Sequence, residues 1–370
     1  MQEKQPVAKS KFEDFITTQE GEDLFGKIRR VNQILSSNVL TGNEGLGMQS
    51  LGCTSPICKI KEKDNRIHNV IMLGSNSYLN MGTDKRVINA AKKALLKYGN
   101  GMGAVSNYTG LSDLHRELEL KIAKFYQTED AIVFPSGYGT NIGVISALCG
   151  KGDVIINDSA NHASIFDGCA LSGAEIRIYP HGNIDYLKKI LSRLDSSRTG
   201  RLIITDGVFS MSGDTTELDE IVALAKFYDA KVMVDDAHGL GIVGPTGKGT
   251  AEKYNLLGQI DLNVGMLSKS PAGLGGYCAA SKEIIQYLRL YARTYFFSTA
   301  LPASTIGGLI EVFKLFEEDK AGRKVLLEKT KYLKDKLSQK GFEIPEGDSA
   351  IVPVMIYDEE TLFRIHKELK

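Results

Sequence analysis

Short apolar runs alternate with helical stretches through the middle of this 370-residue chain, and that alternation limits the folds open to it. The runs Ala131–Phe134, Val154–Asn157, Ile176–Tyr179, Leu202–Thr205, Lys231–Val234 and Leu262–Leu267 have the length and composition of buried strands. Between them, Thr140–Leu148, Ala163–Ser172, Ile184–Leu194 and Leu218–Tyr228 read as helices. Upstream, Asp84–Lys97 places Val87, Ala91, Ala94 and Leu95 on one face, and Ser112 or Asp113 can cap a helix bearing Leu114, Leu118, Ile122 and Phe125. Strands alternating with helices require crossover connections, so the expected fold class is α/β, with a large, doubly wound, mostly parallel sheet. Ligands of such sheets bind beyond the carboxyl ends of the strands.

Chemistry-bearing residues fall at those ends. Val232-Met233-Val234 delivers Asp235, followed by Asp236, Ala237 and His238, and the run ending at Leu267 delivers Lys269 between two serines. A carboxylate and a lysine at neighbouring strand ends suit pyridoxal 5'-phosphate (PLP). The lysine can hold the cofactor as a Schiff base, and the acid can keep the pyridine nitrogen protonated. A buried acid otherwise needs a cationic partner, and Lys269 or His238 is the plain alternative for Asp235. Ser136-Gly137-Tyr138 joins a strand to a helix, where free backbone N–H groups and the helix dipole favour an anion such as a phosphate. His162, after another strand, could lie on an aromatic ring or move protons. Ser210, in the loop after Thr205, could donate to a phenolate oxygen. Taken singly, each of these also reads as an ordinary turn, cap or surface residue.

Other chemistries lack their context. Gly99-Asn100-Gly101-Met102-Gly103-Ala104 fits a dinucleotide fingerprint but follows a helix rather than a strand. Gly244–Gly249 is no Walker loop, because Gly249 stands where Ser or Thr would hold magnesium. The six histidines show no metal-ligand spacing, so no metal is expected. Lys+Arg and Asp+Glu both number 45 and no basic tract stands out, which argues against nucleic acid. No stretch is long and apolar enough for a membrane span, and Met1–Phe12 lacks a signal-peptide core, so a cytoplasmic protein is expected. Five scattered cysteines without a C-x-x-C pair read as thiols in a reducing compartment.

The flanks differ from the middle. Residues 1–60 read as an N-terminal arm, with helical pattern at Glu13–Leu35 and a Gly/Ser-rich stretch at Ser36–Ser55. Val70–Leu73 is a candidate strand before the turn Gly74–Ser77. Residues 61–300 form the expected cofactor-binding domain. From Leu301 the composition shifts to charged helices, Thr305–Lys320 and Arg323–Lys340, followed by a candidate strand Ile351–Ile356. Residues 301–370 are therefore expected to form a smaller α+β domain.

The ordered set of motifs resembles the α-oxoamine synthase family of PLP-dependent acyltransferases from about residue 70 onwards. The resemblance rests on Gly74–Leu79, the 99–110 glycine loop, Asp113-Leu114-His115, Ser136-Gly137-Tyr138 and Asn161-His162-Ala163-Ser164. It continues through Asp206–Asp214, Val234–Gly239, Ser268-Lys269, Gly275-Gly276-Tyr277 and Phe297–Pro302. It implies a fold-type-I homodimer with shared active sites. It implies Lys269 as the Schiff-base lysine, Asp235 as the partner of the ring nitrogen, and His162 stacked on the ring. His238 and Ser210 would contact the phenolic oxygen. Ser136, Gly137 and Tyr138 would hold the phosphate, helped by Ser298 or Thr299 of the other subunit, with Asn76 and Ser106 meeting the substrate. The implied reaction is decarboxylative condensation of an amino acid with an acyl thioester, on CoA or a carrier protein, to an α-amino ketone, of the serine palmitoyltransferase or 8-amino-7-oxononanoate synthase kind.

Three positions depart from the family pattern. The arginine motif that binds the substrate carboxylate has no counterpart before Lys370, so the small domain is expected to be incomplete. Met266 stands where a threonine phosphate ligand is usual, and Val105-Ser106 replaces a common Ser-Arg. Two other readings stay open: a class I/II aminotransferase, and a weakened or non-catalytic subunit of a synthase complex.

Overall fold

The computed structural model describes residues 17–36, 48–62, 64–194, 200–319 and 321–369. It divides into two compact units. Of the described residues, one comprises 17–36, 48–52, 57–62, 64–71 and 356–369, the other 53–56, 72–194, 200–319 and 321–355.

The smaller unit contains helix α1 (Gly26–Ser36) and a three-stranded antiparallel sheet, β1 (Gln49–Ser50), β2 (Ile57–Lys61) and β3 (Ile67–Ile71). Alternation along β2 buries Cys58 and Ile60 and exposes their neighbours. The helical pattern expected over Glu13–Leu35 is thus realised only from Gly26. Residues 17–25 form turns, in which Glu22 and Asp23 accept backbone N–H groups, and residues 13–16 lie outside the described residues. The strand expected at Val70–Leu73 ends at Ile71.

The larger unit is built on a seven-stranded sheet. Its strands are β4 (Asp130–Phe134), β5 (Val154–Asp158), β6 (Glu175–Tyr179), β7 (Arg201–Asp206), β8 (Lys231–Asp235), β9 (Leu262–Met266) and β10 (Gly276–Ala280). Their spatial order is β4-β10-β9-β8-β7-β5-β6. All neighbours are parallel except β10, which runs antiparallel between β4 and β9. The expected doubly wound, mostly parallel sheet is therefore present, with one antiparallel strand inserted.

Connecting helices are α2 (Lys85–Tyr98), α3 (Asp113–Tyr126), α4 (Gly137–Leu148), α5 (Ala163–Ser172), α6 (Ile184–Ser192), α7 (Leu218–Phe227), α8 (Lys282–Tyr291), α9 (Ala303–Glu318) and α10 (Gly322–Gln339). A further helix, α11 (Glu359–Glu368), belongs to the smaller unit.

Because side chains alternate along a strand, each strand feeds two cores. Ile132, Phe134, Ile155, Ile204, Met233 and Val264 pack with Val144, Ile145 and Ile165 on one face. On the other face, Ala131, Val133, Tyr277 and Ala279 meet Leu118, Phe125, Leu309 and Phe313. Val154, Ile156, Ile203, Val232 and Val234 there meet Leu187, Ile221 and Val222. Each such fully buried aliphatic side chain stabilises the fold by about 1.5–3 kcal/mol.

Among the described residues, strand β4 pairs only with β10, so its other edge needs protection. The buried carboxylate of Glu119 on α3 accepts Val133 N–H at 3.3 Å, while Arg289 on α8 donates to the Ala131 carbonyl at 3.1 Å. Arg289 also pairs with Glu119 at 2.7 Å, which closes the network.

The strand expected at Ile351–Ile356 is not formed. Pro353 lacks a donor, and the segment is anchored instead by Ser349 Oγ donating to the Gly213 carbonyl at 2.6 Å and Met355 N–H donating to the Glu343 carbonyl at 3.1 Å.

Candidate active site

The carboxyl ends of β4, β5, β7, β8 and β9 lie along one edge of the sheet, since β10 alone is reversed. At that edge a cavity of about 200 Å³ is lined by Gly137, Tyr138, His162, Asp206, Val208, Ser210, Asp235, Ala237, His238, Met266, Ser268 and Lys269. A second cavity of about 410 Å³ shares His162, Ser210, His238 and Lys269 and extends over Asn76, Tyr78 and Ile351.

Asp235 ends β8 and is 3% exposed. Asn141 on α4 donates to its Oδ2 at 2.7 Å, and Ala237 N–H donates to its Oδ1 at 3.1 Å. These two donors hold the carboxylate in one orientation towards the cavity. Asn141 also reaches Ser164 Oγ at 2.9 Å, which in turn lies 2.7 Å from His162 Nδ1. His162 is the N-cap of α5, its Nδ1 accepting from Ser164 N–H, so the ring is set by the helix start.

Lys269 follows β9 in a tight turn. Ala272 N–H donates to the Lys269 carbonyl and Gly273 N–H to that of Leu267, each at 2.8 Å, while Ala272 takes a left-handed φ of 55°. A non-glycine residue there is strained, a feature common at functional turns. The Lys269 amine lies 2.7 Å from His238 Nε2, and His238 Nδ1 lies 2.7 Å from the Tyr78 hydroxyl. A charged lysine only donates, so Nε2 then accepts and Nδ1–H donates to Tyr78.

Burial lowers the Lys269 pKa, opposed by the charges of Asp235 and Asp206. Burial, with Lys269 and His162 nearby, pushes His238 down to about 3, so its imidazole is neutral. Burial also pushes the Tyr78 phenol up to about 12.

The start of α4 has the geometry to receive an anion. Ser136 is its N-cap and takes Gly139 N–H at 3.0 Å, leaving the amides of Gly137 and Tyr138 without intrahelical carbonyls. Tyr138 OH bonds Asp167, and its ring meets that of His162 edge-on. Met266 Sδ packs against the α-carbon of Gly137, and a Cβ there would overlap it. Gly137→Ala is therefore expected to cost about 1–3 kcal/mol of stability, measurable as a lowered melting temperature.

Ser210 rides on the loop 207–216, which His181 clamps. His181 Nδ1 lies 3.1 Å from Asp158 Oδ1, its Nε2 lies 3.0 Å from Asp214 Oδ2, and its ring sits edge-on to Phe209. The bonds to Asp158 and Asp214 raise the His181 pKa to about 10. The folded state thus favours the imidazolium. Its stabilisation is complete below a pH of about 6.5 and is lost as the pH rises towards about 10. Denaturation of wild type and His181→Gln is expected to show a stability gap near pH 6 that closes near pH 10; a gap independent of pH would contradict this pairing.

The sequence-derived residues Lys269, Asp235, His162, His238, Ser210, Gly137 and Tyr138 thus converge on one cavity, with Ser136 capping its anion end. Asn76 lines the second cavity. Ser298, Thr299 and Ser106 line neither: Thr299 bridges Val105, and Ser106 is buried near Tyr295. Sequence reasoning gave no role to Tyr78, Asn141, Ser164 or Asp206. Asn141 had a signal only in being a polar residue inside an apolar helix.

Residues 68–369 match the family described as aminotransferase class I and II. The 8-amino-7-oxononanoate synthase of Thermoanaerobacter pseudethanolicus is 42% identical over 300 residues, which is 81% of this chain and 76% of that protein. Among solved structures, serine palmitoyltransferase of Sphingomonas wittichii superposes with a TM-score of 0.88 at 33% identity, over 94% of this chain and 87% of that one. A serine palmitoyltransferase from S. paucimobilis with PLP and myriocin bound gives a TM-score of 0.86 at 35% identity, over 92% and 88% of the two chains.

Proposed function

The chain belongs to the α-oxoamine synthases, within the aminotransferase class I and II family, and from that premise we propose how its residues serve a PLP-dependent C-acyltransferase. The reaction joins an amino acid to an acyl thioester, with loss of carbon dioxide, and gives an α-amino ketone. The observation that carries the reading is the convergence of the Lys269 amine, the buried Asp235 carboxylate and the free amides of α4 on one cavity.

These residues fit PLP. A carboxylate fixed by Asn141 and Ala237 suits a protonated ring nitrogen, the amine suits the aldehyde, and a helix N-terminus suits the phosphate. When bound, PLP supplies an electron sink for the charge left on the amino acid's α-carbon.

Lys269 would hold the cofactor covalently through its amine. When free of the cofactor, its amine would be placed to take a proton from the amino acid's α-carbon and to return one. The lowered pKa brings it nearer the range where it can do both at neutral pH. Asp235 would keep the ring nitrogen protonated. His162 would meet the ring, and Ser210 and His238 would orient the phenolic oxygen, with Tyr78 keeping the His238 ring in place. Ser136, Gly137 and Tyr138 would hold the phosphate.

Asn76 borders the second cavity, where the amino acid's carboxylate and the acyl group would enter. Ser298 and Thr299 serve the partner's site in a homodimer, whereas Ser106, buried beside Tyr295, does not reach it. The role of the first two is supported by their absence from the cavities of their own protomer and by the exposed Phe297 beside them. The five free cysteines, three of them buried, support a cytoplasmic enzyme.

The test adds glycine, serine or alanine to the PLP-loaded protein, followed by short and long acyl thioesters. A shift of the cofactor absorbance by one amino acid, then release of free thiol and carbon dioxide, is expected. Formation of a keto acid and the amine form of the cofactor, without thiol, would make it an aminotransferase instead.

A further inference from the structure

A second acid faces the cavity, and the reaction as derived gives it no task. Asp206 ends β7 and is the register partner of Asp235 at the end of β8. Parallel neighbours sit about 4.8 Å apart, with side chains at paired positions on the same face. Both carboxyls are buried, Asp206 at 4% and Asp235 at 3% exposure.

Their surroundings differ. Asp235 has a hydrogen-bond donor on each oxygen. The buried Oδ1 of Asp206 has no hydrogen-bond partner, although the residue lines the cavity. Two buried carboxylates this close do not both ionise, and the anion settles where donors are in place. The groups acting on Asp206 are Asp235, Lys269, Asp158 and the N–H of His162. Burial first, then the Asp235 charge, raises its pKa well above the ordinary range, with Lys269 opposing.

We propose that Asp206 and Asp235 share one charge. Asp235 is the anion offered to the ring nitrogen, and Asp206 is a protonated acid that lines the same cavity. This rests on the PLP reading above. With a neutral Asp206, one carboxylate faces one protonated ring, and no uncompensated charge remains buried beneath it. Asp206 is thus a cofactor-contacting group that works through a hydrogen bond rather than a charge.

The experiment compares PLP dissociation constants, read from cofactor absorbance, for wild type, Asp206→Asn and Asp206→Leu. Asparagine reproduces a neutral group that donates and accepts, so its constant is expected to stay within about threefold of wild type. Leucine removes the hydrogen bond, and its constant is expected to rise about tenfold. Should Asp206→Leu not fold, infrared spectra of the wild-type and Asp206→Asn holoenzymes decide: a protonated-carboxyl band present in the first is absent from the second. Asp236, pushed up to about 6 by burial, is mostly ionised at neutral pH, where the spectra are taken, and is unchanged between the two proteins.

Loss of PLP from Asp206→Asn, or no band lost in that variant, overturns the inference by showing a working anion. Wild-type affinity in Asp206→Leu overturns it by showing no contact. Failure of wild type itself to bind PLP would count against the cofactor reading, which is a separate outcome.

Discussion

Replacing Lys269 by alanine is expected to reduce turnover by about 10⁴-fold or more while leaving the protein folded. Two roles disappear together, covalent attachment of the cofactor and proton transfer at the α-carbon, and proton transfer alone contributes about 10²–10⁴-fold. The fold does not depend on this side chain. Its backbone turn is held by the N–H groups of Ala272 and Gly273, and its burial disfavours its own charge. Removing the amine takes away a group whose desolvation costs stability, so the melting temperature of the cofactor-free protein is expected to hold or rise. The His238 Nε2 loses its neighbour, but the ring stays tethered to Tyr78 at 2.7 Å. The measurements are thiol release from an acyl thioester and a thermal melt, with borohydride fixation of PLP as the third readout. Thiol release within tenfold of wild type, or cofactor still fixed to the chain by borohydride, would remove Lys269 from the mechanism.

The parallel part of the sheet was legible in the sequence for a physical reason. Strands β5, β7, β8 and β9 are covered on both faces, so they read as continuous apolar runs, and each hands over to a polar residue at the same edge. Strand β10 was not legible. Gly276-Tyr277-Cys278-Ala279-Ala280 has no β-branched residue, and its place is set by neighbours on both sides rather than by its own propensity. Ile351–Ile356 erred the other way. Its apolar pattern suggested a strand, but Pro353 and the Ser349 anchor hold it as an extended wall of the second cavity.

The site divides along a similar line. Asp235, Lys269, His162 and His238 stand at strand ends, where position alone suggests a task. Asn141, Tyr78 and Asp206 act through contacts with residues far away in sequence. Asn141 meets Asp235 only because α4 packs across the sheet, and Asp206 meets it only because β7 and β8 are in register. Periodicity in one sequence carries no information about such pairings. Ser298 and Thr299 illustrate a further boundary, since one protomer's fold leaves both outside its own cavity.

Asp235→Asn is the second large effect. It is expected to lower kcat by about 10²–10³-fold, the loss when a preorganised electrostatic partner of developing charge is removed. Shape is nearly conserved, but hydrogen bonding is not. Asn141 donates to Oδ2, so an amide nitrogen at that position would set donor against donor, and the side chain has to turn its oxygen towards Asn141. Its amide then faces Ala237 N–H, another donor. Some stability is therefore lost together with the charge, by about 1–3 kcal/mol for the unmatched buried groups. The two effects separate by measurement, because a purely structural change lowers the melting temperature without altering how the bound cofactor titrates. Loss of the anion instead lets the ring nitrogen deprotonate, and the cofactor spectrum becomes pH-dependent around neutrality. The variant also tests the shared charge from the other side. Removing the Asp235 charge removes one of the causes that raise the pKa of Asp206, which then ionises at lower pH than in wild type. The infrared band assigned to Asp206 is accordingly expected to fade at a lower pH in Asp235→Asn, and an unchanged titration would show that the two acids are not coupled.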